Sequence, residues 1–316
     1  MSVLRIWLLA ASAMVAFAAN SVLARLALDG GGIDPGTFTL LRLTSGAAVL
    51  VFLARARSGV APPRVRAGSW GSAALLLAYA ATFSYAYLRL GAGTGALVLF
   101  AVVQAVMFTA AIRSGEHPGR AGWSGLALAV TGLVMLVAPG ASRPDPVGAV
   151  LMAVSGIAWA GYTIRGPGAE RPVLVTADNF LRSVPMAIAL WLAVLLLGRG
   201  TLHVGIAGAG LAVLSGAAAS GLGYTLWYTV LPWLSHVQSG LVQLAPAPLA
   251  AIGALAVLGE PITPRVMLSS VAILTGVLIG VLHRSHPSSR GDGTPPRALG
   301  ALSPIGTSSS TSSSKE

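Results

Sequence analysis

From Leu241 to Leu258 the chain runs without a charge, turns through Gly259-Glu260-Pro261-Ile262-Thr263-Pro264, and resumes an apolar course to Leu282. Each run suits a helix crossing the ~30 Å hydrocarbon layer of a bilayer, which takes ~20 apolar residues. Pro261 and Pro264 suit the turn and the first helical position, where a missing N–H costs nothing. An earlier stretch, Leu97 to Ala138, has the same layout. Slid by 144 positions, Gly115-Glu116 falls on Gly259-Glu260, Thr131-Gly132 falls on Thr275-Gly276, and Leu97, Val98, Ala101 and Ala110 fall on identical residues. A polar pair repeated at one spacing points to internal duplication.

Composition agrees with a lipid-embedded chain. Of 316 residues, 55% are hydrophobic and 9% charged, where a soluble domain carries about 25% charged residues. So little charge cannot cover a water-facing surface, and the mean hydropathy is +0.79. The net charge of +11 comes almost wholly from arginines. They cluster in short segments between apolar runs, so the basic balance points to membrane topology and not to nucleic acid. Cysteine is absent, which excludes disulfides and thiolate metal sites. The five histidines have no metal-ligand spacing with a carboxylate. No metal and no cofactor is expected. Ala16-Phe17-Ala18 mimics a signal cleavage site, but the apolar run continues to Leu28, so an uncleaved first span is expected.

Ten spans are predicted, near 4–27, 35–54, 68–88, 94–112, 120–138, 146–165, 176–197, 206–229, 237–258 and 264–283. The fold expected is an all-α integral membrane protein of ten transmembrane helices. The early spans repeat at a shift of 140, which brings Arg25 onto Arg165 and Arg42 onto Arg182. Residues 1–140 and 145–283 then form two five-helix repeats. Five is odd, so the repeats are inverted, as in transporters whose site lies between halves. Residues 284–316 are rich in Ser, Pro, Gly and Thr and are expected to be a disordered tail. With the N-terminus inside, Arg55, Arg57, Arg64, Arg66, Arg113, Arg120, Arg165 and Arg171 lie on the cytoplasmic side, against Arg89, Arg143, Arg199 and Arg265 outside. Both termini are therefore expected in the cytoplasm, on the inner membrane.

Phe38-Thr39-Leu40-Leu41-Arg42, Tyr224-Thr225-Leu226-Trp227-Tyr228, Leu244-Ala245-Pro246, the turn from Leu258 to Thr263 and the closing run Ala272 to Gly280 give the chain its resemblance to the EamA group of the drug/metabolite transporter superfamily. The resemblance covers residues 5–283. It implies ten helices in two inverted repeats around a cavity of alternating access, and outward movement of amino acids, other metabolites or drugs. Gln104 departs from the acidic or apolar residue that family hairpins often carry.

Several residues could carry chemistry. Arg42 lies about 10 Å inside span 2 and Arg182 about 9 Å inside span 7, at 1.5 Å per residue. An intramembrane arginine needs a partner or water. Each either grips a substrate anion, or ties down carbonyls at a broken helix or snorkels. Arg25 and Arg165 sit nearer span ends. Asp178 and Asn179 open span 7, where they could cap it, or Asp178 could pair with Arg182 at i,i+4. Tyr79, Tyr85, Tyr87, Trp159, Tyr162, Tyr224, Trp227 and Tyr228 occupy spans 3, 6 and 8. Most membrane tyrosines and tryptophans form interface belts, but Trp159 and Tyr224 lie deep. Asn20, Gln104 and Gln243 are mid-span amides that serve either as glue between helices or as substrate ligands. Pro246 and Pro248 interrupt span 9, as backbone lining a cavity does. The candidate lining of a substrate cavity is thus Asn20, Arg42, Tyr79, Gln104, Trp159, Arg182, Tyr224 and Gln243, with no catalytic residue.

The expected function is secondary transport, with export of a small metabolite or drug. No acid lies near mid-membrane, so facilitated export or exchange is favoured over carboxylate-coupled antiport. The partners are a small-molecule substrate and the bilayer. The oligomeric state is open, a monomer being compatible with the sequence. A membrane-embedded lipid-modifying enzyme and a non-transporting scaffold are the alternatives.

Overall fold

A computed structural model describes residues 1–58, 67–115, 119–137, 145–166, 171–198, 202–258 and 264–282. The expected turn at 259–263, the tip at 116–118 and the tail at 284–316 lie outside the described residues. Ten helical elements follow in order: α1 (Val3–Leu28), α2 (Pro35–Ser58), α3 (Trp70–Tyr87), α4 (Ala92–Arg113), α5 (Arg120–Val137), α6 (Pro146–Ile164), α7 (Pro172–Leu196), α8 (Ile206–Trp233), α9 (His236–Leu258) and α10 (Pro264–Leu282). Among the described residues, seven are long and apolar enough to cross a membrane: α1, α2, α4, α6, α7, α8 and α9. α3 spends part of its length on serines and tyrosines that face inward, including Ser72, Tyr79, Ser84 and Tyr87.

Helix starts follow local chemistry. Ser2, Ser69 and Asp145 accept backbone N–H bonds at the N-termini of α1, α3 and α6, satisfying donors that have no partner within the helix. Ser235 and Gln238 form a reciprocal capping box on α9. α7 begins at Pro172, earlier than the expected 176, with Pro in the first turn. This moves Asp178 and Asn179 into the second turn. They do not cap α7, and Arg182 lies ten residues past its start, about 15 Å along the axis.

Two helices are broken. α9 runs as His236–Val242, then turns, then resumes as Pro246–Leu258. Pro246 has no N–H for the Val242 carbonyl, which instead accepts from Ala245 N at 3.1 Å. α8 is π-helical over Ser215–Leu222. Just before it, the Ser45 hydroxyl of α2 donates to the Val213 carbonyl at 3.3 Å. Gly216 sits against the Arg42 carbonyl and Ser45, so any side chain there would collide with α2.

The helices pack in a patterned network. α3 lies on α6, and α8 on α1. α4 lies on α6, and α9 on α1. α2 touches α8, and α7 touches α3. α2 with α7, α4 with α9 and α5 with α10 complete it. The interior holds Arg42, Tyr87, Tyr224 and Trp227 among its largest fully buried side chains. Leu4, Phe52 and Ile206 are outward-facing and exposed, as suits a surface solvated by lipid tails.

Candidate functional site

The centre of the molecule is built on Arg42, which is 1% exposed. Its Nε donates to Ser220 Oγ at 3.1 Å, and its Nη2 donates to the hydroxyls of Tyr79 at 2.9 Å and Tyr224 at 3.4 Å. Its Cζ lies 5.0 Å from the Tyr79 ring centroid and 4.9 Å from that of Phe83. Asn20 extends the network, donating to Tyr79 Oη at 3.4 Å and accepting from the Ser215 hydroxyl. Arg42, Ser220, Tyr224, Tyr79, Asn20 and Ser215 thus form one polar ring drawn from α1, α2, α3 and α8.

The π-helical turn makes this ring possible. In an α-helix, residues five apart point about 140° away from each other. In a π-helix the i→i+5 hydrogen bond stacks them. Ser215 and Ser220 are five apart, and the π-helical stretch turns both towards the ring.

An aromatic column runs through the same region. Phe83 packs on Tyr87 at 4.6 Å and on Tyr79 at 5.4 Å between centroids. Tyr79 then meets Trp159 at 5.1 Å, Trp159 meets Tyr224 at 4.8 Å and Tyr162 at 6.0 Å, and Tyr162 meets Tyr228 at 5.4 Å. Phe17 closes one side against Trp159 and Tyr224, and Phe180 packs on Tyr224. Trp159 donates through Nε1 to Gln243 Oε1 at 2.7 Å, and Gln243 Nε2 donates to the Ser239 carbonyl at 3.0 Å. Gln243 sits at the break in α9, so the broken helix joins the ring through the indole.

At one end the column reaches a cavity of about 280 Å³. It is lined by the α2–α3 segment (Ala67, Gly68, Ser69), Ser72, the end of α6 (Tyr162, Arg165, Gly166), the start of α7 (Thr176, Asn179) and Tyr228. Gly166 lies against the Tyr228 ring, where a Cβ would overlap it. At the other end the molecule is closed. An antiparallel bridge pairs Ile33 with Val204. Asp34 N donates to the His203 carbonyl at 2.8 Å, Gly205 N to that of Gly32 at 2.9 Å, and Trp191 Nε1 to Thr37 Oγ1 at 3.0 Å. Arg25 pairs with Asp29 at 3.1 Å and donates to the Tyr87 carbonyl at 3.0 Å.

Six of the eight sequence candidates therefore join one network: Asn20, Arg42, Tyr79, Trp159, Tyr224 and Gln243. The other two stand apart. Gln104 is buried with both amide atoms unpartnered, beside Gly240, one turn before Gln243. Arg182 pairs with Asp178 at 3.1 Å and lies over the Trp70 ring at 5.2 Å. Asp178 and Asn179 accept from the N–H groups of Gly68 at 2.8 Å and Ser69 at 3.0 Å. They serve the N-terminus of α3, where an acid is favoured. Ser215, Ser220, Phe17 and Phe83 were missed. Ser215 and Ser220 read as ordinary small residues in an apolar run; their spacing of five becomes a signal only when the helix is known to be π-wound.

Among proteins with known sequences, the uncharacterized protein PA1977 of Pseudomonas aeruginosa is 46% identical over 275 residues, spanning 87% of this chain and 94% of that protein. A solved crystal structure shares the fold with a TM-score of 0.67 at 19% identity, covering 86% of this chain and 98% of that chain. Residues 146–282 match the EamA-like transporter family. With its membrane-length apolar helices and a broken-helix core, this multi-pass membrane protein belongs to the EamA-like transporter family.

Proposed function

We propose that the protein exports a small organic solute across the cytoplasmic membrane by alternating access. The observation that carries this is the asymmetry of the two ends: a cavity opens at one, while the Ile33–Val204 bridge closes the other, with the Arg42 ring between. Asn20, Arg42, Tyr79, Trp159, Tyr224 and Gln243 form the solute site, with Gln104 at its edge, while Arg182 is taken up by Asp178 and Trp70. The ends of α6 and α8 and the starts of α3 and α7 share the open side. On the arginine-rich topology with both termini inside, that side is cytoplasmic, as loading for export requires.

All ten helices cross the bilayer in this reading, as inverted repeats at 1–140 and 145–283. The packing supports it. Exchanging α1–α5 with α6–α10 turns α3·α6 into α8·α1, α4·α6 into α9·α1 and α2·α8 into α7·α3, while α2·α7, α4·α9 and α5·α10 map onto themselves. Opening of the far end would then separate the α1–α2 and α7–α8 connections. Asp178 is the one buried acid among the described residues and is held by Arg182, which favours facilitated export or exchange over proton antiport.

The natural chain has no cysteine, so a clean test is available. Residues paired across an antiparallel bridge lie within disulfide reach. An Ile33→Cys/Val204→Cys protein in proteoliposomes is expected to lose solute efflux on oxidation and regain it on reduction. Efflux at the wild-type rate by fully cross-linked protein would rule out opening at this end.

A further inference from the structure

We infer that the transported solute is a small monocarboxylate anion with an aromatic or apolar body and no ammonium group; this rests on the transport reading above. Arg42 is fully enclosed, yet among the described residues no carboxylate touches it. Its contacts are three hydroxyls and two ring faces. Its Nη1 has no hydrogen-bond partner. A guanidinium always carries its charge, so the core holds a fixed cation with one open donor nitrogen.

The geometry sets the ligand's form. Nε and Nη2 are already engaged, and Nη1 remains. Nη1 carries two N–H donors, which the oxygens of one carboxylate can take up; a doubly charged phosphate would need more donors than the ring has free. The column around the site is aromatic on every level, from Tyr87 through Trp159 to Tyr228. Those faces suit a flat or apolar body. No acid stands in the ring to receive an ammonium. The route in is permissive to anions as well: among the described residues the cavity lining carries Arg165 and no acid, and Asp178 nearby is spent on Arg182 and Gly68. A cavity of one sign raises the local concentration of the opposite charge.

The test uses purified full-length protein and four probes of one shape: 3-phenylpropanoate, its neutral amide, phenylalanine and phenethylamine. Radiolabelled 3-phenylpropanoate is expected to bind and to be displaced by the amide, the zwitterion and the amine only at concentrations at least ~10-fold higher, the factor expected for a charge-assisted hydrogen bond. Arg42→Met should weaken its binding ~10- to 100-fold, Arg42→Lys less, and Arg182→Met by under ~2-fold. Displacement by the amine or amide as effective as by the acid would overturn the anion assignment, and so would unaltered affinity in folded Arg42→Met. Should Arg42→Met fail to fold, the competition series on wild-type protein decides alone. Flux in proteoliposomes separates the two proposals. Movement of the amine but not the acid sinks the anion class and leaves transport standing. Tight binding of the acid that never crosses the vesicle supports the site and refutes transport.

Discussion

Arg42 and Arg182 fall on one another in the duplication proposed from the sequence, and the fold treats them in opposite ways. Arg182 has a carboxylate one turn away on its own helix, lies over an indole, and keeps 18% of its side chain exposed. Among the described residues Arg42 has no acid partner, and it has no solvent. The insertion of an arginine into a membrane costs at least ~2.5 kcal/mol, and an unmade hydrogen bond on a buried donor costs a further ~1–3 kcal/mol. Two desolvated cation–π contacts return about 2 kcal/mol or more each. Arg182 is neutralised locally, as a structural residue is. Arg42 keeps its charge in the core, which suits a residue that waits for a ligand.

The contrast can be broken at several points. Replacement of Arg42 by Met should reduce efflux by ~100-fold while membrane-inserted yield stays within reach of wild type, since a charge-assisted contact made in the moving complex is lost; flux per folded molecule, after size-exclusion of the detergent-solubilised protein, measures it. Equal loss of flux in Arg182→Met would erase the distinction. Replacement of Ser215 by Ala should leave the buried Asn20 Oδ1 without the hydroxyl it accepts from and free the Asn20–Tyr79–Arg42 chain to shift. Efflux is then expected to fall ~10-fold or more, as displacement of site groups does, and a structure of that variant should show the shift. Arg182→Met should act on stability instead, lowering it by ~1–3 kcal/mol because Asp178 is left half-paired; adding Asp178→Asn should restore part of this, read by thermal unfolding in detergent. Smallest, Ser220→Ala should cost ~1 kcal/mol and a few-fold in apparent affinity, since Arg42 keeps both phenol partners.

Much of the scaffold was legible in the chain. Helix starts at Pro35, Arg120, Pro146, Ile206 and Pro264 match the expected boundaries to within a residue, because apolar run length and Pro or Gly punctuation act locally. The break in α9 was visible at Pro246 for the same reason. The site was partly legible: buried amides, an arginine and tyrosines in lipid are anomalies wherever they lie, and six of the eight named residues meet. Gln104 and Arg182 were drawn in by the same anomaly. Their separation from the ring depends on which way each helix is turned.

Periodicity of apolar residues, proline positions and the placement of arginines are properties of nearest neighbours along the chain, and they determined the membrane class and the ten helices. The tertiary structure alone decided that Asp178 goes to Arg182 and the start of α3, that α8 is π-wound over Ser215–Leu222, and that Arg42 meets three hydroxyls and, among the described residues, no acid. Those outcomes depend on contacts between helices far apart in sequence. In an interior so rich in small residues, many side-chain pairings fit the same apolar pattern, and only the packed arrangement selects one.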